Sequence, residues 1–413
     1  MSLAEVPILF VLVGLVFYIV LGGADFGAAI WQVTSGPSGR GERIRELAHA
    51  AMAPVWEANH VWLIFVLTVT WTAYPGAFGS LASTLSVALF VAGLGLFVRG
   101  AAYALRSGTE SPQEVLRIDR ASAVSSVLTP FMLGAAIGGL ASGRVPYGNA
   151  RGDLIDSWLN PTSVVVGALA VVFSAYLAAV YLCGDAVRRD ETDLVEPLRA
   201  RALASGTLAG VLALVGLVVL HHDAHALYRG LVAGDGAPAV AVSVLAGLAT
   251  GGLVFLRRFE PARFTAALAV AAIVGGWALA QQPRFLPGLT IEQAAAPHDT
   301  LVTVVVAVVG GALVLFPSLA LLFRLTLGGR LGHGAAEHAV AAETPGARRL
   351  LAASAPGLLG RAAGAALALG VGLLTIAEAG WAHAVGVVAL LAFVVLGTGA
   401  ALPAFLEPDE AEA

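Results

Sequence analysis

The chain contains no lysine, and all 23 of its basic residues are arginine. That removes Schiff-base chemistry and a Walker-type phosphate lysine. A single cysteine, Cys183, excludes an intrachain disulfide and a thiolate zinc cluster. Charge is scarce too: 12% of 413 residues, against about 25% in ordinary soluble domains. A soluble fold of this size would lack the polar surface it needs. No strand–glycine-loop–helix nucleotide site is visible. The short alternating segments of an outer-membrane barrel are also missing. No basic leader or small-residue cleavage site accompanies the first apolar run, near Val6, so that run is expected to be a retained helix. Histidines spaced on facing spans for bis-histidine heme ligation are not found.

What the sequence does hold is apolar length. Hydrophobic residues make up 58% of it, with a mean hydropathy of +0.85. Runs of about 20 apolar residues recur from end to end, which predicts an all-α polytopic membrane protein. Spans are expected at roughly 6–31, 50–73, 79–105, 121–142, 160–184, 202–220, 237–256, 264–281, 300–323, 359–377 and 381–404. About nine core helices would occupy residues 1–330. A polar Gly/His/Glu stretch, 331–358, reads as a cytoplasmic linker, and 359–413 as an extra helical hairpin ending in an acidic tail.

Arginine alternates between loops. The odd-numbered loops and their helix ends carry 19, including Arg43, Arg99, Arg188 and Arg257. The even-numbered loops carry 4: Arg144, Arg151, Arg229 and Arg284. The positive-inside rule then makes the odd loops cytoplasmic and the N-terminus external. Asp25 falls near the cytoplasmic end of the first span, and Glu57 in the first turns of the second.

An acid at membrane depth costs roughly 2.5–3.5 kcal/mol, so a retained one is a functional candidate. Asp25 sits in Gly22-Gly23-Ala24-Asp25-Phe26-Gly27, where small residues allow close helix approach. Glu57 sits in Pro54-Val55-Trp56-Glu57-Ala58-Asn59-His60-Val61-Trp62. Glu57 and His60 share a helix face, while Asn59 lies about 200° away on the wheel. Each acid has two readings, a proton relay or a packed interhelical contact. Arg99 either neutralises such an acid or snorkels to the headgroups. His221, His222, Asp223 and His225 cluster after the sixth span, and His221 and His225 have metal-ligand spacing if the helix continues. His298-Asp299 reads as a helix start.

At these motifs the chain resembles subunit II of the cytochrome bd-type quinol oxidases. The Gly22–Gly27 stretch is similar to the family's first-helix end. Pro54 to Ile64 is similar to its Pro-x-Trp-Asp/Glu-Gly-Asn-x-Val-Trp-Leu-Ile. Leu96-Phe97-Val98-Arg99-Gly100, Gly143-Arg144-Val145-Pro146-Tyr147, Leu159-Asn160-Pro161 and Leu286-Pro287-Gly288-Leu289-Thr290-Ile291 follow in order. The resemblance implies a heterodimer in a prokaryotic inner membrane, whose heme-bearing subunit I holds heme b and heme d and reduces dioxygen with quinol. This chain would ligate no heme or metal and bind no nucleic acid. It would contact lipid, hold a structural quinone and take up protons from the cytoplasm toward heme d. Asp25 would receive them and Glu57 would pass them on, with Trp56, Asn59, His60 and Arg99 lining the path or the subunit interface. Three departures stand out: Glu57 where Asp is common, Ala58 where Gly is usual, and a helical pair beyond the nine-helix pattern. An ion-coupled secondary transporter and a purely structural membrane scaffold are the rival readings.

Overall fold

Prolines punctuate this chain at helix starts. Pro7, Pro75, Pro161 and Pro238 occupy first or second helical positions, where a missing N–H costs nothing. The computed structural model describes residues 2–36, 38–52, 56–106, 112–327, 358–376 and 380–406. The first span runs from α1 (Val6–Phe17) through a π-helical segment (Tyr18–Gly22) into α2 (Gly23–Thr34). There follow α3 (Gly39–Met52), α4 (Trp56–Ala73), α5 (Pro75–Thr84), α6 (Ser86–Arg106) and α7 (Pro112–Ala141). Next come α8 (Pro161–Arg188), α9 (Thr192–Asp223), α10 (His225–Ala233), α11 (Ala237–Phe255) and α12 (Phe259–Gln281). A small antiparallel hairpin, β1 (Arg284–Leu286) and β2 (Leu289–Thr290), pairs Arg284 with Thr290 and Leu286 with Leu289. The chain continues with α13 (Ile291–Ala294), α14 (His298–Leu327), α15 (Leu358–Ile376) and α16 (Gly380–Leu406).

Eight described helices are long and apolar enough to cross a membrane. With α4, whose apolar stretch Asn59–Ala73 is shorter, they give the nine expected in the core. The architecture is the all-α polytopic one that the hydropathy predicts. Two expected spans need correction. The run expected at 79–105 is broken at Leu85, which separates α5 from α6. The run expected at 50–73 divides between α3, which ends at Met52, and α4, which begins at Trp56. Expected linker residues 331–357 and the tail from 407 onward lie outside the described residues.

The chain forms two compact units, residues 1–314 and 315–413. In the second, α15 and α16 pack closely enough that a Cβ at Gly370 would lie 2.7 Å from the Leu390 side chain and 3.0 Å from the Gly386 carbonyl.

Within the first unit, loop contacts join odd to odd and even to even. Arg43 of the first loop holds Asp193 at 2.7 Å, and also Glu191, both before or at the start of α9. These carboxylates hold the Arg43 guanidinium above its usual pKa range, Glu191 most strongly. Arg188 reaches Glu260 at 2.5 Å, Arg263 reaches Asp185 at 2.7 Å and Arg257 reaches Glu196 at 2.9 Å, tying the fifth loop to the seventh. On the other side, Arg144 reaches Asp223 at 2.6 Å, the Gly148 N–H donates to Ser80 Oγ at 2.9 Å, and the Ala296 N–H donates to the Ala73 carbonyl at 2.8 Å. Tyr74 Oη donates to the Ala4 carbonyl at 2.6 Å, which puts the N-terminal residues on this even-loop face. Helices that each cross once require this alternation.

A repeat appears that the sequence did not display. α4 ends at Tyr74 (φ −139°, ψ 60°) and α9 at Ala224 (φ −138°, ψ 58°), each followed by a short helix before the next span. Two successive four-span groups therefore share one bend, and the ninth span follows them.

α8 is the axis of the odd-face core. Leu177, Val180, Leu182 and Cys183 are buried against Ile44 and Leu47 of α3, Leu194 and Leu198 of α9, and Phe259 of α12. Gly27 is what lets α2 approach α8: a Cβ there would lie 1.9 Å from the Ser174 carbonyl. Gly27→Ala must push backbone apart and should destabilise the solubilised protein by about 1–3 kcal/mol. Gly210→Ala, where nothing lies within 4 Å, should leave thermal unfolding unchanged or slightly raised. Equal unfolding temperatures for the two variants would contradict this packing.

Candidate functional site

The π segment sets the geometry here. A π turn widens the helix and disturbs its regular hydrogen-bond ladder, and such turns recur at functional sites. Asn59 of α4, fully buried, donates its Nδ2 to the Leu21 carbonyl in that segment at 3.3 Å. Phe17 stacks on Trp62 at 4.5 Å between centroids, and a Cβ at Gly14 would meet Phe65 at 2.7 Å. The second span is thereby held against the first along its length.

One turn beyond the π segment, Asp25 meets Arg99 of α6. The pair is bidentate: Arg99 Nη2 donates to Asp25 Oδ1 at 2.7 Å and Nε to Oδ2 at 3.2 Å. Nη2 also donates to the Asp25 backbone carbonyl at 3.0 Å, and Nη1 donates to Ser126 Oγ of α7. The guanidinium lies 5.1 Å from the Phe26 ring centroid. Side-chain exposures of 4% for Arg99 and 3% for Asp25 rule out snorkelling, so of the two readings of Arg99 the structure takes neutralisation. The planar fork of arginine suits this binding, which a lysine would not reproduce. Close helix approach makes the reach possible. A Cβ at Gly95, one turn before Arg99, would sit 2.3 Å from Thr129 Oγ1 of α7. One guanidinium thus ties α2, α6 and α7 together.

Two deeply buried polar atoms near this pair have no hydrogen-bond partner among the described residues, Tyr18 Oη and Asn59 Oδ1. The Tyr18 ring lies over Gly22, where a Cβ would be 3.4 Å away. Buried polar atoms of this kind are the usual hosts of internal water.

Of the sequence candidates, Asp25, Arg99 and Asn59 converge on residues 21–25 of the first span. Glu57 lies on the first turn of α4, two residues before Asn59, and its side chain and that of Trp56 lie outside the described residues. His60 is half-buried on the next turn.

Elsewhere, the α9 helix stops at Asp223, so His221 and His225 do not share a continuous helix. Their rings pack 5.1 Å apart, with Tyr228 4.8 Å from His221. Asp223 turns to Arg144 and Thr162, accepting from Thr162 Oγ1 at 2.5 Å. Among the described residues no group of three or more His, Cys, Asp or Glu side chains is placed to hold a metal ion. Asp299 lies in the first turn of α14, as expected. Sequence reading passed over Asp185, because it ended the fifth span at residue 184. α8 runs on to Arg188, and its last turn presents Asp185 to Arg263.

The sequence profile described as cytochrome bd terminal oxidase subunit II matches residues 3–326. The chain is 24% identical over 224 residues to a Bacillus subtilis (strain 168) protein provisionally named cytochrome bd menaquinol oxidase subunit II, covering 53% of this chain and 63% of that one. It is 26% identical over 189 residues to cytochrome bd-I ubiquinol oxidase subunit 2 of Escherichia coli (strain K12), covering 43% of this chain and 46% of that one. The alignments therefore span less than two thirds of either relative. The structure of bd oxidase from Geobacillus thermodenitrificans includes a chain that matches with a TM-score of 0.66 and 25% identity, over 79% of this chain and 99% of that one.

Breaking the buried pair on one side leaves an uncompensated charge. Arg99→Met should cost about 3–5 kcal/mol, and adding Asp25→Asn should restore most of it. Thermal unfolding of both variants checks this. Additive losses would mean that the two groups do not act as a pair.

Proposed function

Because the chain belongs to the cytochrome bd terminal oxidase subunit II family, we propose that it is the non-heme subunit of a quinol:dioxygen oxidoreductase in a bacterial cytoplasmic membrane. Its partner is a heme-bearing subunit I, which holds heme b and heme d and carries out electron transfer and oxygen reduction. This chain takes up protons from the cytoplasm on their way to the heme d site, braces the complex and offers its apolar surface to lipid and to a structural quinone. The membership displaces the secondary-transporter reading.

The observation that carries proton uptake is the buried Asp25–Arg99 pair beside the first turn of the helix bearing Glu57. It lies toward the arginine-rich, odd-loop end of the spans, which the positive-inside rule assigns to the cytoplasm. Arg99 fixes Asp25 in place, and with it the polar opening at the end of the first span. Tyr18 Oη and Asn59 Oδ1, without a partner among the described residues, supply hydrogen-bonding positions for water along the π segment. Glu57 is the group that gains and releases the proton and passes it toward subunit I, with Trp56 and His60 flanking it. Asn59 serves mainly to hold α4 against the first span.

In the intact two-subunit complex, Glu57→Gln should lower oxidase turnover about tenfold or more and slow proton uptake to match. The heme absorption spectrum should be unchanged, because assembly does not depend on the proton. Wild-type turnover in a complete complex would favour the structural-scaffold reading.

A further inference from the structure

We propose that the odd-loop ends of α8, α11 and α12 form a binding site for the headgroup of an anionic phospholipid. Arg188, Arg257 and Arg258 ring an open cavity of about 430 Å³, with Glu260 as the one acid among its lining residues and Gly184 and Phe259 among its apolar walls. None of these residues takes part in the Asp25–Arg99 cluster.

The charges here are unequally matched. Arg188 is held by Glu260 at 2.5 Å and by Asp185, and Arg257 by Glu196 at 2.9 Å. Glu196 also serves Arg199, and Asp185 and Glu260 also serve Arg263. Three carboxylates thus answer to four arginines before Arg258 is considered. The Arg258 guanidinium has no hydrogen-bond or ion-pair partner among the described residues. Nor are the carbonyls at the end of α11 open to it, since Arg199 takes those of Val254 and Phe255, each at 3.0 Å.

The backbone adds an independent sign. Arg257 sits at φ +58°. Its N–H donates to the Val254 carbonyl at 3.2 Å, and that of Arg258 donates to the Leu253 carbonyl at 2.8 Å. This is the helix-ending turn in which glycine is the usual residue. An arginine enters the left-handed region less readily than a glycine does. The turn brings two consecutive arginines, Arg257 and Arg258, to one cavity.

Position selects the ligand. Phe255, Leu256 and Phe264, 66–76% exposed, flank the cavity with apolar surface in the spans that enter the bilayer. A molecule bound here would have its charged end among guanidiniums and its apolar end along these side chains. A phosphodiester headgroup with acyl chains has that form, and arginine forks match phosphate oxygens two at a time. A zwitterionic lipid would bring its own cation into a site already in positive excess.

The test uses the intact two-subunit complex, solubilised from membranes holding phosphatidylglycerol and phosphatidylcholine in equal amounts, with retained lipid counted by native mass spectrometry. Phosphatidylglycerol should be retained preferentially. Arg257→Gln should lower its retention roughly fivefold, and Arg257→Gln with Arg258→Gln roughly thirtyfold. Arg229→Gln, on the even-loop face, should have no effect. Unchanged heme spectra and elution volumes show that each variant is assembled. Equal retention of both lipids, no retained lipid in the wild type, or the same retention in the double variant overturns the proposal. Displacement by inorganic phosphate at the lipid's own concentration overturns it as well, by assigning the cavity to a free anion. Turnover of the double variant should match wild type, so failure here is distinct from failure of the proton-uptake reading.

Discussion

A charged pair at membrane depth is what the first unit is organised around. Arg99 and Asp25 are both almost fully enclosed, and neither is affordable alone in a low-dielectric surrounding. The pair is tolerated because every feature around it serves the geometry. Gly95 lets α6 close on α7, Gly27 lets α2 close on α8, and Ser126 and the Asp25 carbonyl take two further donors. Three spans are fixed in register by one planar group. Replacing it with an apolar pair would make a simpler bundle, so its retention calls for a reason beyond cohesion.

That reason is where the pair lies. The first span widens into a π turn immediately before Asp25, and the second span is pinned to that turn by Asn59. Among the described residues, Tyr18 of the π segment and Asn59 of α4 leave polar positions open, and the acid on the first turn of α4 stands two residues before Asn59. Small residues, a distorted helix and an unreplaced charge are concentrated there. The outer sides of α9, α11 and α14 expose large apolar side chains such as Leu214, Leu248 and Leu313, 66–71% exposed.

Much of this was legible in the sequence for simple reasons. Bilayer thickness imposes a length on apolar runs, so spans could be read directly. Arginine sorting predicts alternating faces, and the loop-to-loop ion pairs follow that alternation. Asp25, Glu57 and Arg99 stood out because charge is rare in an apolar run. What stayed hidden was non-local. No spacing rule connects residue 25 to residue 99, so the partner of Arg99 required the packing of α2 and of α6 against α7. Hydropathy runs across the break at Leu85, and the polar His221, His222, Asp223 and His225 around Ala224 read as a loop. For that reason the short helices α5 and α10, and the repeat they reveal, were missed. The end of α8 was misplaced because Asp185 looks like a loop residue until Arg263 is seen beside it.

The central claim is that protons reach the oxidase through the odd-loop end of this subunit. Its most direct test is an oxygen pulse given to the fully reduced complex in proteoliposomes of uniform orientation, with a pH indicator in each compartment. The account predicts alkalinisation on the odd-loop side, delayed in Glu57→Gln. Alkalinisation confined to the even-loop side would contradict it.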